Sequence, residues 1–164
     1  GFTPGQAKEA VEFYREYFKD KGIFENRPYK GIDVLLSSLK NAGMILAVAT
    51  SKPEVFAERI LEHFDLAQYF TVTAGSNLDG SRINKADVIN YALRTLNVSD
   101  KASVLMVGDR EHDVIGAKAA GIDCVGVLYG YGSREELESA GAGSIAQTVE
   151  ELQNMLLYTV TTVS

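Results

Sequence analysis

A three-layer α/β sandwich around a parallel sheet is the fold these 164 residues predict, and three observations predict it. Short, nearly all-apolar runs, Ile45 to Ala49, Val104 to Val107 and Cys124 to Leu128, read as strands buried on both faces. Between them lie stretches whose apolar residues recur at helical spacing and whose ends carry capping signals. Strand and helix alternate strictly, which requires parallel strands joined by right-handed crossovers.

In chain order, Thr3-Pro4-Gly5-Gln6 carries an N-cap, a first-turn proline and a capping-box glutamine, and a helix is expected from Pro4 to Lys21. After a loop holding Pro28, Val34, Leu35 and Leu39 predict a helix that Gly43 ends, and the strand Ile45 to Ala49 follows. Ser51-Lys52-Pro53-Glu54 reads as a second capping box, opening a helix to about His63. The expected strand Phe70 to Ala74, helix Lys85 to Leu96, strand Val104 to Val107, helix Val114 to Ala120 and strand Cys124 to Leu128 come next. Gly121 is the expected C-cap of the helix before it. Two further helices are signalled by Ser133 with Glu136 and by Thr148 with Glu151. The tail, Tyr158 to Val163, is rich in β-branched residues and is expected as an edge strand or a frayed end.

Composition limits the function. With 46% hydrophobic and 23% charged residues the chain can bury one core. Its net charge of −6 argues against nucleic acid polymers and anionic membrane surfaces as partners. No apolar stretch approaches the roughly 18 residues of a membrane span. Cys124 stands alone, so no internal disulfide can form; a single thiol suits a reducing cytoplasm, and the apolar run around it marks it as a small buried hydrophobe. Gly1-Phe2 leads straight into a helix signal without an initiator Met, so a segment upstream is expected.

Active sites in parallel sheets gather at the carboxyl ends of the strands. That rule selects Thr50-Ser51, the stretch Gly75 to Lys85, and Gly108 to Asp113. Asp109 ends a strand and Asp113 opens a helix four residues later, a spacing that lets both carboxylates face one Mg²⁺ ion, which takes oxygen ligands. The same spacing also suits a turn residue and a helix cap. Ser51 serves equally as an N-cap and as part of an anion site, since a cap leaves other first-turn amides free. Lys85 stands at a helix start, where its charge opposes the helix dipole; a phosphate would use that charge, and a solvated lysine is the alternative.

Together, Thr50-Ser51, Lys85, and Gly108-Asp109 with Asp113 resemble in order and spacing the second, third and fourth motifs of haloacid-dehalogenase-type phosphatases. Gly108 to Gly121 and Tyr129-Gly130-Tyr131-Gly132-Ser133 are similar to phosphoglycolate phosphatases, whereas Gly75 to Arg82, Tyr14-Arg15 and Gly22 to Asn26 resemble the 5'-nucleotidase branch. The resemblance covers roughly residues 2–157. It implies that Thr50, Ser51 and Lys52 bind the phosphoryl group, that Lys85 neutralises it, and that Asp109 and Asp113 bind Mg²⁺. It also implies that Arg82 and Arg15 reach substrate, although each is equally readable as a structural or solvated arginine. Residues 1–30 would be part of a helical cap and residues 31–164 a core of the same Rossmann-like type. The implied substrate is a small phosphorylated metabolite or nucleotide.

One motif departs from that pattern. The family's Asp-x-Asp-Gly-Thr sequence, which supplies the nucleophile, is absent from these residues. Asn77-Leu78-Asp79-Gly80-Ser81 imitates it, but a carboxamide cannot form an aspartyl-phosphate, so Asp79-Gly80 reads as a turn. The core is therefore expected to lack a central first strand, leaving a gap through which the chain could self-associate, and to be inactive alone. The competing expectation is a fragment that only binds a phosphate ligand or a protein. Dinucleotide-binding and receiver-like modules fit less well, since Ala49 to Pro53 has no Gly-rich loop and no acidic cluster stands near the start.

Overall fold

The computed structural model describes Thr3, Gly5, Gln6 and residues 22–161, with the backbone alone for 159–161. Thr3 and Gln6 form the expected reciprocal cap: the Thr3 amide donates to Gln6 Oε1 at 3.0 Å and the Gln6 amide to Thr3 Oγ1 at 3.3 Å. The rest of the first expected helix, including Arg15, lies outside the described residues.

From Gly22 onward, a 3₁₀ turn at Gly22–Phe24 precedes helix α1 (Ile32–Asn41), strand β1 (Ala47–Pro53), α2 (Glu54–His63) and β2 (Val72–Ser76). Helix α3 (Lys85–Thr95), β3 (Leu105–Gly108), α4 (Glu111–Ala120), β4 (Asp123–Val127), α5 (Arg134–Ala140), β5 (Ser144–Ala146) and α6 (Val149–Thr161) complete it. Every strand pairing is parallel, as the alternation requires.

Strand β4 shows why three layers form. Cys124 packs with Ile89, Leu93, Val114, Ala117 and Leu137 from α3, α4 and α5. Val125 and Val127, pointing the other way along the same strand, pack with Leu35 and Leu39 of α1 and Leu152 of α6. Both faces of the strand are thus covered by helices, and its apolar run is continuous for that reason.

The sheet is in two pieces. Strands β1 and β2 form one ladder and β3, β4 and β5 another, and among the described residues no strand joins β1 to β3. Apolar side chains near the start of each of these strands meet solvent: Ile45 is 71% exposed and Leu105 41%. Tyr158 to Thr161 do not enter this gap. Instead of an edge strand, Tyr158 to Thr161 continue α6, because the chain joins a helix already capped by Thr148, whose Oγ1 accepts the Glu151 amide at 3.1 Å. Adding residues to an existing helix is far easier than nucleating a new element, so β-branched Thr159 and Val160 follow.

The second expected capping box does not form either. Ser51 to Pro53 lie in β1, Pro53 occupies the N-cap of α2 without a side-chain cap, and Glu54 turns across to β2. There Glu54 Oε2 accepts the Gly75 amide at 3.1 Å and Arg82 Nη2 at 2.6 Å, partners stronger than one local serine. Ser133 does cap α5, accepting the Glu136 amide at 3.1 Å.

Candidate functional site

Lys85, the first residue of α3, stands at the centre of the site. Its ammonium donates to the Ala49 carbonyl oxygen of β1 at 2.8 Å and pairs with Asp113 Oδ1 of α4 at 2.6 Å. The aliphatic stem reaches there by passing Gly116, where any Cβ would meet Lys85 Cγ at 2.6 Å. Lys85 is therefore not a solvated lysine. Its side chain is 12% exposed and ties β1 to α4.

Asp113, 7% exposed, is both a cap and a member of the cluster. Its Oδ2 accepts the amides of Asp109 at 3.0 Å and Arg110 at 3.1 Å, while Oδ1 faces Lys85. Asp109 follows β3, and its Oδ2 accepts the Tyr131 amide at 2.8 Å. Among the described residues no protein hydrogen bond reaches its Oδ1. The third amide at the start of α4, that of Glu111, donates to Glu136 Oε1 at 2.9 Å. Two carboxylates thus occupy the amides of Asp109, Arg110 and Glu111 at the entry to α4, and these three are closed to an added anion.

Thr50 to Lys52 lie where the register between β1 and β2 breaks, between the pairs Ala49 with Ala74 and Pro53 with Ser76. A bulge of this kind redirects side chains out of the pleat. Thr50 Oγ1 accepts the Lys52 amide at 3.2 Å, and burial lowers the Lys52 ammonium's pKa. Ser51 and Lys85 line an open groove of about 370 Å³ with Asn84, His112, Ile83 and Ile115. Sequence reasoning named Thr50, Ser51, Lys85, Asp109 and Asp113; the structure sets Lys85 against Asp113 and beside Ser51, with Asp109 bonded to Asp113 through its amide.

Arg82 is engaged by its own loop and by Glu54. Its guanidinium donates to the Gly75 carbonyl oxygen at 2.7 Å, to Glu54 at 2.6 Å and to Asn77 Oδ1 at 2.8 Å, and lies 3.8 Å from the centre of the Tyr91 ring. These contacts hold a backbone in the left-handed region, at φ 51°, which an arginine rarely adopts. Arg82 is thus committed to the loop after β2. Within that loop Asp79 Oδ1 accepts the Ser81 amide at 2.9 Å and hydroxyl at 2.7 Å, and Gly80 has φ 84°, so Asp79-Gly80 is a turn as expected.

Sequence reasoning gave no role at the site to Tyr29 or Glu136. Tyr29 meets Tyr129 edge-on with ring centres 5.1 Å apart. Burial and then the nearby Asp109 carboxylate raise the Tyr29 pKa, and burial with Tyr29 pushes Tyr129 up to about 12.

Residues 2–127 match the family model of haloacid dehalogenase-like hydrolases. The chain belongs to that family. It is 45% identical over 139 residues to a 5'-nucleotidase of Pseudomonas aeruginosa, covering 85% of this chain and 62% of the relative. Identity is also 45%, over 152 residues, to the tyrosine-protein kinase PtkA of Mycobacterium tuberculosis, covering 92% of this chain and 52% of that one. A phosphoglycolate phosphatase of Neisseria meningitidis is 35% identical over 147 residues, with coverage of 85% and 62%. The crystal structure of a predicted phosphatase from Clostridium acetobutylicum superposes with a TM-score of 0.90 at 52% identity, covering 96% of this chain and 72% of that one. The chain therefore spans between about half and two thirds of the length of the curated relatives it matches.

Phosphatases of the haloacid dehalogenase-like family generally use Mg²⁺, and the donors here suit part of such a site. Among the described residues no group of three or more metal-ligating side chains occurs. Asp109 offers one carboxylate oxygen free of protein partners, while both oxygens of Asp113 are engaged. One direct carboxylate fits an ion that keeps several waters and shares a substrate phosphate. No helix among the described residues is long and apolar enough to cross a membrane.

Proposed function

We propose that this chain forms the phosphate- and Mg²⁺-binding part of a phosphatase for small phosphate monoesters, of the 5'-nucleotide or phosphoglycolate kind, in the cytoplasm. The observation that carries the reading is the Lys85 ammonium, held between the Ala49 carbonyl and Asp113 at the carboxyl ends of two parallel ladders, beside Ser51. Thr50, Ser51 and Lys52, at the register break, would bind the phosphoryl oxygens together with Lys85. With the amides of Asp109, Arg110 and Glu111 occupied by carboxylates, the backbone of this bulge would contribute to anion binding. Asp109 would hold Mg²⁺ through Oδ1 with Asp113 behind it, and the bound ion would offset charge on the transferring group.

A nucleophile must come from elsewhere. Asp109 and Asp113 are tied by amides and by Lys85, and Asp79 sits in its turn. A further parallel strand carrying an Asp at its carboxyl end would join β1 to β3, which no described strand connects. That Asp would displace the alcohol in line to form an aspartyl-phosphate, which water then hydrolyses. Left open, the same two edges favour pairing with another chain.

A substrate panel tests the reading in protein that includes such a strand. 5'-Nucleotides and phosphoglycolate should be hydrolysed far faster than phosphopeptides, and Lys85→Ala should abolish the activity. Preference for phosphopeptides would overturn the substrate class.

A further inference from the structure

The segment after β4 encloses the backbone of Asp109. Tyr131 is 88% exposed, yet its amide donates to Asp109 Oδ2 at 2.8 Å. A Cβ at Gly130 would overlap the Asp109 side chain, and one at Gly132 would overlap the Asp109 carbonyl oxygen. Both positions therefore need glycine for close approach, since neither has the positive φ that would otherwise call for it. Farther along, Glu136 Oε1 accepts Arg110 Nε at 2.7 Å and the Glu111 amide at 2.9 Å, and Ser133 Oγ accepts the Glu136 amide at 3.1 Å. Three consecutive residues, Asp109 to Glu111, are thus gripped by one segment, with Asp113 holding the amides of Asp109 and Arg110.

We propose that Gly130 to Glu136 is the positioning element of the cation site, its Tyr131 amide fixing Asp109 Oδ2 so that Oδ1 is presented to a divalent cation. The inference rests on the cation reading given above. Tyr131 acts through its backbone, so the residue type matters little there, whereas Gly132 and Glu136 matter. Fixing one oxygen of a carboxylate removes its rotational freedom before the ion arrives, and outer-shell contacts of this kind are worth about 10- to 100-fold in metal affinity.

Mn²⁺ binding to the 164-residue chain, followed by electron paramagnetic resonance, tests the role alongside hydrogen exchange at the Tyr131 amide. Gly132→Ala and Glu136→Ala should each weaken Mn²⁺ binding by about 10- to 100-fold with the circular dichroism of the ion-free chain unchanged. The Tyr131 amide should exchange slowly in the wild type and quickly in Asp109→Ala. Should Gly132→Ala fail to fold, Glu136→Ala and the exchange rates decide. Wild-type Mn²⁺ affinity in Glu136→Ala, or fast exchange at Tyr131 in the wild type, overturns the positioning role and leaves the cation reading standing. A wild-type chain that binds no Mn²⁺, or binding unchanged in Asp109→Asn, overturns the cation reading and the inference with it.

Discussion

Lys85 Nζ lies 2.6 Å from Asp113 Oδ1 and 2.8 Å from the Ala49 carbonyl oxygen, so one ammonium joins α4 to β1 where no ladder does. Both side chains are almost fully covered, at 12% and 10% exposed. Removing one partner of such a pair leaves an uncompensated charge. Lys85→Met should cost about 3 kcal/mol in urea unfolding, and Asp113→Asn added to it should recover part of the loss. A loss below about 1 kcal/mol would show that solvent already screens the pair.

Gly116 is the floor on which the Lys85 stem lies. Gly116→Ala forces Cγ and Cβ of Lys85 aside, which overpacking data put at about 1–3 kcal/mol, despite the better helix propensity of alanine. A melting temperature equal to that of the wild type would show that α3 and α4 separate freely.

Glu136 predicts a pH dependence. The Glu111 amide, then the Arg110 guanidinium, hold its carboxyl below the ordinary value of 4.5. A folded value below the unfolded one means the tie stabilises fully above the unfolded value and is lost as pH falls through the folded value. The difference in melting temperature between wild type and Glu136→Gln should thus be largest near neutrality and shrink below about pH 4. A difference that grows on acidification would contradict the assignment.

Cys124 faces the core between α3, α4 and α5, and burial, with Asp113 adding to it, pushes its thiol up to about 12. The folded chain should leave Cys124 unmodified by a disulfide reagent at pH 8 and release one thiol per chain in urea. Rapid labelling of the native protein would show that this face of the sheet opens.

Much of this fold was legible before any coordinates, because buried parallel strands read as apolar runs and helices carry their own caps. Helix α3 and the cap at Ser133 match the expected positions closely. Strand ends did not. The apolar run predicts β1 at Ile45 to Ala49, whereas the strand runs Ala47–Pro53, since a ladder needs a partner and the first pair is Ala47 with Val72, while Ile45 is exposed. Strand β5 is only three residues long and escaped notice between Gly143 and Gln147. At the site, residue types announced Lys85, Asp109 and Asp113. The grip on Asp109 is a backbone matter, and the Tyr129-Gly130-Tyr131-Gly132 spacing just past a strand end was its one signal. Ser51 to Glu54 misled because a capping box is a local pattern, whereas Glu54 finds longer-range partners in Gly75 and Arg82.

Hydrolysis of p-nitrophenyl phosphate by the purified 164-residue chain, with and without Mg²⁺, bears on the division between binding apparatus and attacking group. The site predicts no turnover above background from this chain, because removing a covalent catalyst costs several orders of magnitude. Orthophosphate should still bind, and Lys85→Ala should abolish that binding. Magnesium-dependent turnover that disappears in Asp109→Asn would show that a residue within these 164 attacks the phosphorus, and would contradict the assignment of the nucleophile to a strand between β1 and β3.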